Sequence, residues 1–526
     1  MRNTTRYAIA LVAALGLFPV ALDATIVNVA IVPIAQALHA SLDTIQWIFL
    51  GFLLANAAVF PLSGYLGTRL GTKRLFLIGL ALFTFCSLLC GLAPTERWLV
   101  ALRVLQGAGG GLLLPLGMAI ALQPFAKEER AKATAVVGVP LLLAPVIGPI
   151  VGGAIIDGLN WQAIFFVNVP VGLVALLLAW WVLPADAPAA PQTPAGFDYL
   201  GLGLAMAGSA VLVYAFKLVS QTDPATRTAA NPAGAIYGWG YRPVWALIAL
   251  SLALLAAFAY RALRAGQDPV LDLRLFARRD FTVSNLAIWL NATISFGVLF
   301  LVPVYLQSVR LPHLSPVETG VALLPMGLAT IVGVILGGAL YRAVGPRLLV
   351  LAGTAFLALG CWRFGVLTPT TGIRALALPL ALVGLSTTLN MVPTQTLALE
   401  ALRDDALNKA SSLVNATKLL WASVGSAALV TVYIQHTTAH AARLAAALPA
   451  AVLAQPTAPA ALAARAQVAT QAATSGMVDV FTLLLWSTFA LVAVALFLPG
   501  HRAAAAGDTG EAPEQEPAPR ATANVR

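Results

Sequence analysis

Charge is what this 526-residue sequence has least of: Asp, Glu, Lys and Arg make up 10% of it, against 60% hydrophobic residues. Soluble globular chains carry about 25% charged residues, so one large water-facing core is excluded. Cysteine is almost absent, with Cys86, Cys90 and Cys361 alone. Cys86 and Cys90 stand one helical turn apart in an apolar run and read as small buried hydrophobes. Neither a disulfide framework nor a metal site is spelled out. The five histidines, His39, His313, His436, His440 and His501, all fall in expected loops or the tail. No His pair or Asp-rich motif stands in an apolar run, which disfavours a multi-pass membrane enzyme, and no cofactor is implied. The net charge of +10 is scattered in short clusters between apolar runs. It serves topology rather than nucleic-acid binding.

What the sequence does hold is continuous apolar runs, not the alternation that a membrane β-barrel requires. Fourteen can be marked, most of them long enough to cross a bilayer as helices. Six lie near 8–34, 46–68, 74–93, 97–122, 131–156 and 162–183. Two more follow a Pro/Ala-rich connection, near 198–218 and 243–263, and the last six near 281–305, 317–341, 347–367, 374–398, 408–434 and 478–499. The expected fold class is an all-α polytopic membrane protein: two pseudo-symmetric six-helix bundles plus two extra central helices. The expected divisions are an N-terminal bundle (1–184), a linker with two additional spans (185–280), a C-terminal bundle (281–499) and a disordered tail (500–526). An Ala-rich loop is expected at about 436–477. An even span number puts both termini on one face. Of the 31 Lys and Arg residues, 20 fall on that face and 9 opposite, with Arg103 and Lys418 inside spans. The positive-inside rule then places both termini in the cytoplasm. Trp47, Trp98, Trp161 and Trp245 begin spans at the opposite face, as an aromatic belt does.

The two-bundle plan rests on a repeat. GYLGTRLGTKR, with Gly64, Thr68, Arg69, Gly71, Lys73 and Arg74, follows the second run. GALYRAVGPR, with Gly338, Arg342, Gly345 and Arg347, follows the corresponding run of the second block. Each has Gly-x-Leu, a second glycine seven residues after the first, then a basic residue. Parallel repeats with a site between them are the plan of many secondary transporters, and a channel would not need them.

Within the spans, polar residues are few enough to take singly. Asp23 sits near the middle of the first run, where a carboxylate costs some ~2.5–3.5 kcal/mol on insertion scales. Asp157, Glu400 and Asp479 lie near span ends, so Asp23 is the one acid deep in a run. In the fourth run Arg103, Gln106, Gly107 and Gly110 share a helical face. Arg103 reads either as a snorkelling residue or as a fixed cation near a carboxylate, whose charged form it would favour. Asp23 reads either as a structural carboxylate paired with Arg103 or as an exchanger of protons. In the fifth run Ala144, Gly148 and Gly152, with Gly153, suit close helix packing, while Pro145 and Pro149 allow a bend. Late in the chain Ser411, Asn415 and Lys418 form a polar face, and Asn390, Thr394 and Gln395 could line the same cavity. Structural hydrogen bonding and substrate contact both remain open for these.

Together these stretches resemble the major facilitator superfamily, and within it the fourteen-helix drug:proton antiporter group. The carriers of the resemblance are LDATIVNVAIVP, GYLGTRLGTKR, LRVLQGAGGG, APVIGPIVGG and WQAIFFVNVPVG, in that group's order. FDYLG, LDLRLF and PVYLQ are similar to it as well. The resemblance implies export of amphipathic, including cationic, drugs in exchange for protons by alternating access, in a bacterial inner membrane. It implies a proton-transfer role for Arg103 beside Asp23 and an antiporter role for the fifth-helix motif, where Ala144 departs mildly from glycine. Implied partners are a small-molecule substrate, protons and the lipid bilayer; some relatives also use a periplasmic adaptor. A dedicated metabolite or siderophore exporter on the same scaffold is the alternative. The sharper departure is Thr68, where the family carries an acid that latches the cytoplasmic side. Thr68→Asp is therefore expected to shift the population towards an outward-open state; unchanged labelling of cavity cysteines would count against this.

Overall fold

The structure is a computed structural model and describes residues 3–125, 129–186, 198–221, 223, 226, 236–264, 273–400, 404–448 and 459–500. Apolar side chains on every face of a segment leave its backbone groups to pair with each other, and in lipid that means helices. The helices are α1 (Asn3–Ala37), α2 (Leu42–Leu70), α3 (Thr72–Gly91), α4 (Glu96–Leu122), α5 (Arg130–Gly158), α6 (Ala163–Phe166), α7 (Asn168–Val182) and α8 (Tyr199–Ser220). They continue with α9 (Arg242–Arg264), α10 (Arg279–Val304), α11 (Pro316–Ala322), α12 (Leu324–Val344), α13 (Pro346–Phe364), α14 (Ile373–Glu400), α15 (Asp404–Ala446) and α16 (Pro459–Leu496). Among the described residues 13 helical stretches are long and apolar enough to span a membrane. The shorter apolar stretch Val146–Gly158 of α5 marks the place of a fourteenth.

Packing repeats between the halves. In the first, α2 packs on α4, α3 on α4 and α7, and α1 on α5. In the second, α12 packs on α14, α13 on α14 and α16, and α10 on α15. The halves meet along two equivalent seams, α5 with α11 and α12, and α15 with α2. The helix pair α8–α9 leans on α15 and α2 through α8. Three side-chain hydrogen bonds join the halves among the described residues. Gln46 Nε2 donates to the Ser426 carbonyl (3.0 Å), Gln307 Nε2 to the Val29 carbonyl (3.0 Å), and the Val317 amide to Asp157 Oδ2 (3.0 Å). All three lie towards the face opposite the one where the chain begins, here called the far face.

The repeated loops have the same backbone geometry. Gly71, between α2 and α3, has φ 89°, and Gly345, between α12 and α13, has φ 84°. Each amide closes the preceding helix by donating to a carbonyl four residues back, Gly67 or Tyr341. The basic residue two positions later then reaches the C-terminal carbonyls of its own half's last helix. Lys73 Nζ donates to the Trp180 (2.8 Å) and Leu183 (2.6 Å) carbonyls at the end of α7. Arg347 Nε donates to the Leu498 carbonyl beyond α16 (2.7 Å). A cation at a helix C-terminus complements its partial negative charge. In the first half Asp186 also accepts from the Lys73 (2.8 Å) and Arg74 (3.1 Å) amides at the start of α3. Arg69 lies over the Tyr65 ring (4.5 Å), and Arg342 is exposed. The side chain of Thr68 lies outside the described ones.

One expectation is corrected. The stretch at about 436–477 is not a loop throughout: α15 runs on to Ala446 and α16 begins at Pro459. Alanine has the highest helix propensity, so the helices outlast the apolar runs. His436 and His440 are therefore helical, one turn apart, and both imidazoles meet Asp479 Oδ2 (2.7 and 2.8 Å).

Gly71→Ala and Gly345→Ala each force a side chain into left-handed backbone, at about 1–3 kcal/mol. A Cβ on Gly71 would also overlap the Asp186 carboxylate. Both variants should lose thermal stability in detergent, whereas Gly64→Ala and Gly338→Ala, where a Cβ meets nothing within 4 Å, should not.

Candidate functional site

The glycines of α4 set the site up. A Cβ on Gly107 would overlap the Phe52 carbonyl of α2, one on Gly111 would lie 2.6 Å from the Asn56 carbonyl, and one on Gly109 would lie 2.8 Å from the Phe83 amide of α3. Three helix backbones thus converge around the first half's interior, and Arg103 enters it from α4 one turn before Gly107. Arg103 and Asp23 are both 0% exposed. Arg103 Nη1 donates to Asp23 Oδ2, and also to Gln106 Oε1 (2.8 Å). Its Nε donates to the Ile48 carbonyl of α2 (3.1 Å), and its guanidinium lies 4.3 Å over the Phe52 ring. Asp23 Oδ1 accepts from Asn168 Nδ2 of α7 (3.1 Å) and, more distantly, from Gln106 Nε2 (3.4 Å). Asn168 Nδ2 also reaches Ser87 Oγ of α3 (3.3 Å), which donates to the Phe165 carbonyl (2.9 Å).

Five helices, α1, α2, α3, α4 and α7, therefore share one dry polar network. Two opposite charges out of water hold each other in place, since removing either leaves the other uncompensated. The network is incomplete at its edges: Arg103 Nη2, Asn168 Oδ1 and Thr84 Oγ1 are buried and make no hydrogen bond. A buried donor without a partner is costly. These spare groups could bind Asp23 or one another in a second arrangement.

Just beyond Asp23 on the same helix, α1 meets α5. Thr25 Oγ1 donates to the Ala144 carbonyl (3.2 Å). Cβ atoms on Gly148 and Gly152 would overlap Thr25 and Ile26. Gly153 in turn lies against the Pro316 carbonyl and Val317 of α11, and Gly320 of α11 against the Pro149 carbonyl. The glycines and Pro149 of the fifth-helix motif therefore form both the α1–α5 contact and part of the far-face seam. The side chain of Pro145 lies outside the described ones.

The other cavity candidates divide. Gln106 belongs to the dry network. Asn390 and Thr394 are 1% exposed and also lie inside packing: Asn390 Nδ2 donates to Asn291 Oδ1 (3.4 Å), and Thr394 Oγ1 to the Asn390 carbonyl (2.6 Å). Gln395, Asn415 and Lys418 are half-buried, with Asn415 Nδ2 donating to the Ser411 carbonyl (2.9 Å). Sequence reasoning missed Asn168 and Ser87. A lone Asn in an apolar run was the available signal, because a buried amide needs partners.

Two packed helical halves with parallel repeats, the first holding a sealed charge pair, have the plan of a secondary membrane transporter. Residues 13–426 match the sequence profile of the Major Facilitator Superfamily, and the chain belongs to that family. It is 35% identical over 407 residues to a multidrug resistance protein B homolog of Mycobacterium tuberculosis, covering 77% of this chain and 72% of the relative. It is 32% identical over 419 residues to the tetracenomycin C resistance and export protein of Streptomyces glaucescens, covering 80% and 74%. Its fold matches a crystal structure of a bacterial homolog of the human lysosomal transporter Spinster, in an inward-facing and unoccupied conformation. That match has a TM-score of 0.60 at 16% identity and covers 95% of this chain and 98% of that one. The chain is thus a transporter of that superfamily, similar in sequence to relatives named for drug resistance and export.

Arg103→Ala should destabilise the first half by about 3–5 kcal/mol, because Asp23 is then buried without its cation. Adding Asp23→Asn to Arg103→Ala should recover most of that loss. Unfolding midpoints of the single and double variants in detergent check both.

Proposed function

We propose that this chain exports amphipathic drugs in exchange for protons, by alternating access across a bacterial inner membrane with both termini in the cytoplasm. The moving bodies are the N-terminal bundle (1–184) and the C-terminal bundle (281–499), with 185–280 between them. The observation that carries this is the Asp23–Arg103 pair, fully sealed in the first half. A proton on Asp23 removes the negative charge that Arg103 faces. The pair can then no longer hold α1 against α4 as before, and Arg103 keeps only its hydrogen bonds to Gln106 and the Ile48 carbonyl.

The contacts from α1 onward supply a route for that change. Thr25 and Ile26 sit two and three residues after Asp23 and pack into the glycines of α5, and α5 carries half of one far-face seam. A shift of α1 that follows protonation would therefore bear on the closure between Gly153 and Pro316. Spatial continuity supports such coupling, and only measurement establishes it.

The measurement uses the purified protein in proteoliposomes with an imposed pH gradient. Wild-type protein should accumulate substrate against its gradient, and Asp23→Asn should retain substrate binding but lose the gradient-driven component. Full gradient-driven transport by Asp23→Asn would overturn the proton-coupling role.

A further inference from the structure

A proline inside a helix has no amide to give, and its ring pushes away the carbonyl four residues back. Pro33 lies near the end of α1 and so leaves the Val29 carbonyl without its helical donor. Val29 is 0% exposed, so water does not replace the missing bond. The donor comes from the other half: Gln307 Nε2, on a side chain that is itself buried, bonds this carbonyl at 3.0 Å. Interior prolines free carbonyls in α2, α4, α10 and α14 as well. Of the carbonyls freed in this way, among the described residues, that of Val29 alone takes a side-chain hydrogen bond from the opposite half.

Gln307 sits on a turn that is anchored at both ends. After Pro303 the end of α10 widens into a single π turn, Tyr305–Val309, closed by the Arg310 amide on the Tyr305 carbonyl five residues back (2.8 Å). The Tyr305 hydroxyl donates to the Thr368 carbonyl (2.7 Å) and Arg310 Nε to the Thr371 carbonyl (2.8 Å), both in the connection between α13 and α14. Wide turns of this kind frequently stand at functional sites. Beside the bond, close packing stops. A cavity of about 320 Å³ lies between Ser308 and the end of α1, against Val32, Ala35 and Gln36 and the following His39 and Ala40. The end of α1 therefore meets this turn at the Gln307–Val29 bond and parts from it beyond.

We propose that Gln307 is a positioning residue of the transport cycle: it holds the far face shut by capturing the carbonyl that Pro33 frees on α1, and it releases that carbonyl when the face opens. Both groups are neutral, so their separation strands no buried charge, and water can satisfy each of them once the seam parts. Such a bond shifts a two-state ratio by roughly two- to tenfold, which makes the latch reversible. Val29 stands six residues after Asp23, about 9 Å along the same helix at 1.5 Å per residue. A movement of α1 at Asp23 thus reaches the latch through one continuous element. The inference rests on the alternating-access reading above.

Spin labels at Arg97→Cys and Arg374→Cys, exposed positions at the starts of α4 and α14, report the far-face separation of the halves in the full-length protein. The native Cys86, Cys90 and Cys361 are buried and stay unlabelled. Gln307→Met keeps the length of the side chain and removes its N–H. It should raise the ratio of far-face-open to far-face-closed protein roughly two- to tenfold. Pro33→Ala supplies the helical donor and draws the Val29 carbonyl back into α1, so it should move the ratio in the same direction. In the double variant the two effects should not add, because both act on one bond. A proline that merely bends α1 gives additive effects instead. Monodispersity on size exclusion checks folding. Should Gln307→Met fail it, Pro33→Ala decides, since alanine in place of an interior proline does not weaken a helix. An unchanged ratio in either folded variant, or effects that add, overturns the latch. Alternating access fails separately. That reading is refuted, and the latch stands, if wild-type labels hold one distance with and without an imposed pH gradient in proteoliposomes while a second distance appears in Gln307→Met.

Discussion

A carboxylate and a guanidinium with no access to water cannot be placed independently of each other, and Asp23 and Arg103 impose that constraint on the whole first half. The pair fixes the approach of α1 to α4. The Ile48 carbonyl fixes where α2 must pass, and Asn168 fixes α7. The close backbone contacts at Gly107, Gly109 and Gly111 are the steric counterpart of this demand, since α2 and α3 reach the network only where α4 has no side chains in the way. A glycine stripe that could be read as generic helix packing is in this molecule what lets one arginine reach Asp23, Gln106 and the Ile48 carbonyl in the interior.

The two halves share a packing plan but not a chemistry. In the second half α10, α13 and α14 enclose a network built from amides and hydroxyls. Asn291 donates to the Thr387 carbonyl (3.0 Å), Ser295 bonds with the Thr387 hydroxyl (3.0 Å), and Thr354 meets Asn390 (3.5 Å). Neutral groups that hydrogen-bond each other fix a core without any charge to neutralise. The asymmetry is therefore one of chemistry: a charged pair sealed in one half and neutral groups bonded to each other in the other.

Much of this was legible in the residues. Span number followed from apolar runs, the repeat from two glycine loops, and the isolation of Asp23 from the scarcity of acids. The identity of its partners was less so. Arg103 and Gln106 announced themselves by sharing a helix face, but Asn168 and Ser87 come from other helices, and periodicity within one run says nothing about which helix lies opposite. For the same reason spacing left open whether Asn390 and Thr394 line a cavity or hydrogen-bond within packing, where the structure places them. Spacing orders residues around one axis, while exposure depends on the rotation of that axis against its neighbours. The extension of α15 and α16 was missed for a different reason. Polar and small residues ended the apolar signal at about residue 434, while alanine propensity carried the helix on to Ala446.

The loop that lacks an acid at position 68 is where sequence and structure together say most about gating. Its basic residue binds the end of α7, its amides bind Asp186, and the equivalent arginine of the second half binds the end of α16. All of these contacts stay within one half. Each loop thus makes its own bundle rigid at the face where the chain begins, and none of these bonds ties one bundle to the other there. The bonds that do cross, at Gln46, Gln307 and Asp157, lie towards the far face. Among the described residues these crossing contacts lie along two seams, whose close approach depends on Gly153 and Gly320 on one side and on Gln46 on the other. On the α5 side of one seam, Gly148 and Gly152 leave room for the Thr25 and Ile26 side chains of α1, so that α1 and α5 pack closely just where α5 meets α11.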